Sequence, residues 1–247
     1  MSTIVAIGGG ELKDLETLPI DRAIVNFACK KRPKALFIPT ASDDSVGYWQ
    51  IFQDVYGKKL GCETDVLYLV KEHPSQKEIE KKILSADIVY VGGGNTLRML
   101  RIWRRHGVDK LLHKAYEKGV VLAGLSAGAI CWFRYGLSDS RRFMKSGKQK
   151  EISMRVSALG FIPCTFSPHH IREKHLRESG MRDIMARTPG IALAVDDNAA
   201  IVIRGDRYEV LRSKRDAGIA KVFQRRGSIE WKPLKTSGSL VDLLSKS

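Results

Sequence analysis

Val120-Val121-Leu122-Ala123-Gly124-Leu125-Ser126-Ala127-Gly128-Ala129-Ile130-Cys131-Trp132-Phe133 changes character at its centre. The run up to Leu125 reads as a buried strand, and Ala129 to Phe133 reads as a helix, so Ser126 falls at an abrupt strand-to-helix junction. Glycine and alanine around it matter physically. Such a turn holds its serine in a strained backbone conformation and brings neighbouring chain close, which leaves Oγ exposed above a sheet, as in a nucleophile elbow. The same string also suits a plain strand-to-helix turn, so the partners have to be sought elsewhere in the chain.

Upstream, strand-like runs at Ile4 to Ile7, Ala35 to Ile38, Val66 to Val70 and Ile88 to Val91 alternate with helix-patterned segments. Those segments are Leu15 to Lys31, Ser45 to Leu60, Ser75 to Leu84 and Thr96 to Lys118, the last broken at Gly107. This rhythm predicts an α/β fold with a doubly wound, mostly parallel sheet flanked by helices. Downstream come a polar stretch from Ser138 to Ser153, a short strand at Thr165-Phe166 and a charged helix from about Ile171 to Ala186. Ile191 to Val195, Ala199 to Ile203 and Tyr208 to Leu211 read as short antiparallel strands added at the sheet edge. No linker divides the 247 residues, which are read as a single domain over 1–247.

The charge is +15 with a pI of about 9.8, which raises nucleic acid as a partner. The cations are dispersed, however, over Lys30-Lys31-Arg32, Arg101 to Arg105, Arg141-Arg142 with Lys145, Lys148 and Lys150, and Arg212 to Arg226. None of these forms a nucleic-acid-binding motif, so no specific nucleic-acid partner is expected, and attraction of acidic substrates or a solvated surface fits better. Cys29, Cys62, Cys131 and Cys164 have neither CxxC nor Cys/His zinc spacing, and no metal is expected. They read as reduced, mostly buried thiols of a cytoplasmic protein. No apolar run reaches about 18 residues, so no membrane span is expected.

A serine nucleophile needs a base, a group to orient that base, and N–H donors for an oxyanion. Of six histidines, His73, His106, His113 and His175 lie on loops or charged helices. His169 and His170 instead follow Phe166-Ser167-Pro168 at the end of a strand, where α/β sheets present catalytic side chains, and either can be the base. Gly92-Gly93-Gly94-Asn95 follows one strand and opens a helix; it lacks the residues of a P-loop or a dinucleotide fingerprint, so it reads as a donor loop and no cofactor is expected. Gly8-Gly9-Gly10 reads as a tight turn. For the acid, Asp139, Asp196 and Asp197 all stand in suitable loops and are not ranked by sequence.

Together, Val91-Gly92-Gly93-Gly94-Asn95-Thr96, Gly124-Leu125-Ser126-Ala127-Gly128-Ala129, Ser138-Asp139-Ser140 and Ser167-Pro168-His169 resemble the peptidase E family of serine peptidases, which includes aspartyl dipeptidase and cyanophycinase. The resemblance covers roughly residues 1 to 205. It implies a class I glutamine amidotransferase-like fold, with serine at the elbow where amidotransferases carry cysteine; Cys131 lies five residues further on. It also implies Ser126 as nucleophile, His169 as base with His170 the alternative, and the Gly94 and Ala127 N–H groups as oxyanion hole. Asp139 matches the acid commonly assigned to the family's triad, and Asp197 falls where the family carries a second acid, usually glutamate. Ser167 and His170 replace the family's asparagine and aromatic residue around the histidine. The implied substrate is a dipeptide or short peptide cleaved from its N-terminus, in the family with an N-terminal aspartate, by a monomer or homodimer.

Overall fold

The computed structural model describes residues 2–140, 153–171, 173–188 and 190–245. The cationic group at Arg141, Arg142, Lys145, Lys148 and Lys150, and most of the polar stretch after Ser140, lie outside the described residues.

The first half winds as the sequence predicts. Strands β1 (Thr3–Ile7), β2 (Lys34–Ile38), β3 (Glu63–Val66), β4 (Ile88–Val91) and β5 (Val121–Leu125) are parallel and stand in the order β1-β5-β4-β2-β3. They are joined through α1 (Leu18–Phe27), α2 (Val46–Phe52) with a π-helical continuation over Gln53–Lys59, α3 (Gln76–Ser85), α4 (Thr96–Arg105) and α5 (Val108–Glu117). Gly107, with φ 63°, breaks the long helical segment between α4 and α5. α4 shows why periodicity is informative. Thr96, Met99, Leu100 and Trp103 recur at three- and four-residue spacing and are all buried, while Asn95 caps the helix by accepting from the Arg98 N–H at 3.0 Å.

Two predicted elements differ. The strand expected at Val66 to Val70 ends at Val66, because the Leu69, Val70 and Lys71 N–H groups all donate to Asp44 Oδ2, at 2.8, 2.5 and 3.0 Å. A carboxylate takes the place of a ladder, and Leu67 and Leu69 are buried without strand geometry. The helix after Ser126 is a single turn, α6 (Ala127–Ile130), because Phe133 enters a strand of its own.

That strand begins a second sheet that sequence did not foresee. β6 (Phe133–Ser138), β7 (Met154–Ser157), β8 (Ile162–Ser167), β9 (Ile191–Val195), β12 (Ile219–Arg225) and β13 (Ser228–Pro233) stand in the order β13-β12-β9-β8-β6-β7. Ile191 to Val195 is therefore not an edge addition to the first sheet; it pairs parallel with β8 and antiparallel with β12. β10 (Ala199–Arg204), β11 (Arg207–Arg212) and β14 (Ser237–Ser239) do extend the first sheet antiparallel from β1, making eight strands among the described residues. α7 (Lys174–Arg187) follows β8 and α8 (Leu240–Leu244) follows β14. α6 packs against β1, β4, β5, β6 and β8, and one hydrophobic core containing Val91, Ile130, Trp132, Phe166 and Ile219 runs through both sheets. The carboxyl ends of β1, β4, β5, β8 and β9 all carry residues of the candidate site described next.

Candidate active site

Ser126 leaves β5 with φ 55° and ψ −110°, a conformation that costs a non-glycine residue on the order of 1–3 kcal/mol. Its N–H donates to the Ile7 carbonyl at 3.0 Å, and its own carbonyl accepts from the Ala129 and Ile130 N–H groups, both at 3.0 Å, which fixes the turn. Close packing also requires the small residues around it. A Cβ on Gly128 would lie 2.6 Å from the Val91 carbonyl carbon, so the turn tolerates only glycine there.

Ser126 Oγ lies 2.9 Å from His169 Nε2, and His169 Nδ1 lies 2.5 Å from Asp197 Oδ1. His169 is held at the end of β8 with φ 54° and donates its N–H to the Gly8 carbonyl at 3.2 Å. Asp197 comes from the turn after β9, where Asn198 N–H donates to the Gly9 carbonyl at 2.9 Å. The pairing of Nδ1 with a carboxylate leaves Nε2 facing the hydroxyl, the arrangement in which imidazole accepts the serine proton.

The structure thus brings Ser126, His169 and Asp197 together. Asp139 stands between two serines that pack on α4. Ser138 and Ser140, on either side of it, are buried and joined at 2.8 Å; Ser138 Oγ donates to Thr96 Oγ1 at 3.3 Å, and Ser140 Oγ accepts from the Leu97 N–H at 3.1 Å. The Ser-Asp-Ser segment therefore braces the start of α4, and the carboxylate on the His169 ring is that of Asp197. The alternative base, His170, stacks on Trp231 with centroids 5.0 Å apart and 17° between planes. Its Nδ1 is buried without a partner, and burial lowers its pKa.

Of the expected oxyanion donors, Ala127 opens α6, where first-turn N–H groups have no intrahelical acceptor. On the other side, a Cβ on Gly93 would lie 3.5 Å from Ser126 Cβ, in ordinary contact, so Gly93 lies beside the elbow. Gly94 itself has φ 136° and rests against Ala41.

Sequence missed one part of this site and offered another, Asp196, only as a candidate acid. Gly9 lies under the histidine and its acid: a Cβ there would stand 2.5 Å from His169 Cε1 and closer still to His169 Nδ1 and Asp197 Oδ1. Gly8-Gly9-Gly10 as a bare triplet gives no sign of this. Asp196, beside the acid, is a clamp. Its Oδ1 accepts from the Ile171 N–H at 3.2 Å and its Oδ2 from the Gly218 N–H at 2.8 Å, tying the histidine loop to the acid's turn and to the entry of β12.

A cavity of about 310 Å³ opens onto Ser126 and His169, bordered by the Gly10–Lys13 loop, Tyr48 and Ile51 of α2, Gly93 and Leu125. Among the described residues no cluster of His, Cys, Asp and Glu is arranged to hold a metal ion. No helix of the described residues is long and apolar enough to cross a membrane. Cys62, Cys131 and Cys164 are buried and Cys29 is exposed, all four unpaired. Burial pushes the Cys131 thiol well up, and it donates to the Gly128 carbonyl at 3.0 Å.

The fold is mixed α/β with its cleft at the strand ends, and the sequence model of peptidase family S51 matches residues 4–211. The chain belongs to peptidase family S51 and is a peptidase. It is 34% identical over 236 residues to the uncharacterized peptidase YgaJ of Bacillus subtilis (strain 168), covering 95% of this chain and 97% of that one. It is 26% identical over 225 residues to a peptidase E of Shewanella amazonensis (strain ATCC BAA-1098 / SB2B), covering 85% of each. The crystal structure of a peptidase from an acI-B1 Actinobacterium superposes with a TM-score of 0.73 at 21% identity, covering 97% of both chains, a likeness of fold.

Proposed function

We propose that this peptidase works by serine acyl transfer, releasing residues from the N-terminus of dipeptides or short peptides. His169 Nε2 takes the Ser126 proton as Oγ attacks the scissile carbonyl, and Asp197 holds the ring and stabilises the imidazolium that forms. The N–H groups of Gly94 and Ala127 face the developing oxyanion. His169 then returns the proton to the leaving amine, and water attacks the acyl-enzyme by the same route in reverse.

The observation that carries this reading is the chain Ser126 Oγ, His169 Nε2, His169 Nδ1, Asp197 Oδ1, with links of 2.9 and 2.5 Å. Short substrates are supported by the cavity: its roughly 310 Å³ sits at the small end of the ~300–1,000 Å³ typical of small-molecule sites. Turnover of a dipeptide library by wild type, Ser126→Ala, Asp197→Asn and Asp139→Asn tests it. Ser126→Ala loses several orders of magnitude in kcat; turnover by Ser126→Ala at the wild-type rate would overturn the proposal.

A further inference from the structure

The chain carries a charge of +15, and of its described lysines and arginines Lys13 alone borders the cavity at Ser126. Among the described residues no arginine borders it. Its walls are Leu12, Tyr48, Ile51 and Leu125, and its charged residues among those described include Glu11 and Lys13, of opposite sign and two positions apart on the loop after β1. Leu12 and Leu125 are 3% and 7% exposed, anchored in the core below. Tyr48 is a rigid wall, edge-on to Phe37 at 5.0 Å between centroids. Burial pushes its hydroxyl up to about 12; the Gly93 backbone opposes this, and the negative charges of Asp21 and Glu11 add to it. The wall is therefore neutral, and Glu11 borders the same cavity.

These features disfavour an acidic side chain. A carboxylate entering the cavity would give up water for apolar walls, and specific carboxylate sites rely on the fixed fork of arginine. Here Lys13, the one lysine or arginine among the described residues of the lining, shares its cavity with Glu11. An apolar side chain meets no such cost and removes its own surface from water. A peptide with a free N-terminus also brings an ammonium, for which Glu11 is the complementary charge.

We propose that the cavity selects peptides with a free N-terminus bearing an apolar or aromatic side chain, which seats against Leu12, Tyr48, Ile51 and Leu125 while Glu11 holds the α-ammonium. This rests on the reading of Ser126, His169 and Asp197 as the catalytic group. The test is kcat/KM for X-Leu dipeptides with X as Leu, Phe or Asp and for N-acetyl-Leu-Leu, on wild type and Glu11→Gln, with fluorophosphonate labelling of both proteins in parallel. The Leu and Phe substrates exceed Asp at least tenfold, in the range one apolar pocket confers. Glu11→Gln narrows the ratio of free to acetylated substrate about tenfold. Preference for Asp, equal turnover of free and acetylated substrates, or an unchanged ratio in Glu11→Gln overturns the inference. Labelling of Ser126 without hydrolysis of any dipeptide overturns it while leaving the catalytic reading intact; no labelling overturns both.

Discussion

Gly9→Ala perturbs the candidate catalytic group without touching a reacting atom. The new Cβ would lie 2.5 Å from His169 Cε1, against 3.4 Å or more in ordinary contact, so the ring has to retreat by about 0.9 Å. The Asp197 carboxylate, closer still, has to move with it. Gly9 lies outside the positive-φ region, so alanine is compatible with its backbone and the fold should persist. A misplacement of about 1 Å costs roughly 10²-fold, and separating a catalytic histidine from its acid costs up to about 10⁴-fold. The expected fall in kcat is therefore about 10² to 10⁴, or about 3 to 5 kcal/mol of barrier. Dipeptide turnover measures it, the rate of fluorophosphonate labelling shows the same loss at the serine itself, and a thermal melt within a few degrees of wild type excludes unfolding. A Gly9→Ala protein with kcat within threefold of wild type would refute the reasoning.

Three other outcomes follow from particular contacts. Asp197→Asn loses about 10³- to 10⁴-fold in kcat, whereas Asp139→Asn, in the segment bracing α4, loses less than tenfold; the reverse ranking would return the acid's role to Asp139. Asp196→Asn offers one acceptor in place of the two used by the Ile171 and Gly218 N–H groups, and lowers kcat about tenfold with KM nearly unchanged; a change confined to KM would exclude positioning of His169. Asp21 is fully buried, and burial pushes its carboxyl from 3.8 up to about 6 against hydrogen bonds from Thr17 and Tyr56. The native state holds this proton more tightly than the unfolded chain. Its stabilising effect is therefore complete below 3.8 and is lost as pH rises to about 6, by about 3 kcal/mol. Urea unfolding should show Asp21→Asn gaining about that much relative to wild type between about pH 3.5 and 7; parallel pH profiles would refute it.

What sequence made legible was whatever is local. Strands β1, β2, β4 and β5 announce themselves as apolar runs, α4 and α5 as periodic faces split by Gly107, and Ser126 as small residues around a junction. The second sheet was hidden because its first strand follows a one-turn helix with no change in composition: Ile130 to Phe133 is equally apolar in either state. The run at Leu67 to Val70 misled for a different reason, since Asp44, more than twenty residues away, supplies the acceptors that let it be buried as a loop. At the site, the serine and the histidine pair were readable from their place after strands. The choice among Asp139, Asp196 and Asp197 was not, because it depends on which turn the second sheet carries to the end of β8, a relation between residues 28 positions apart. Gly9 was invisible because the reason for a glycine lies in what a side chain would strike.

The proposed mechanism depends first on Ser126 as the nucleophile. Treating the protein with a fluorophosphonate and mapping the adduct by peptide mass spectrometry tests it directly, with Ser126→Ala and His169→Ala alongside. One adduct is expected, on Ser126, formed far more slowly in His169→Ala and absent in Ser126→Ala. A dipeptide-hydrolysing wild-type protein whose Ser126 carries no adduct, or whose activity survives Ser126→Ala, would contradict it.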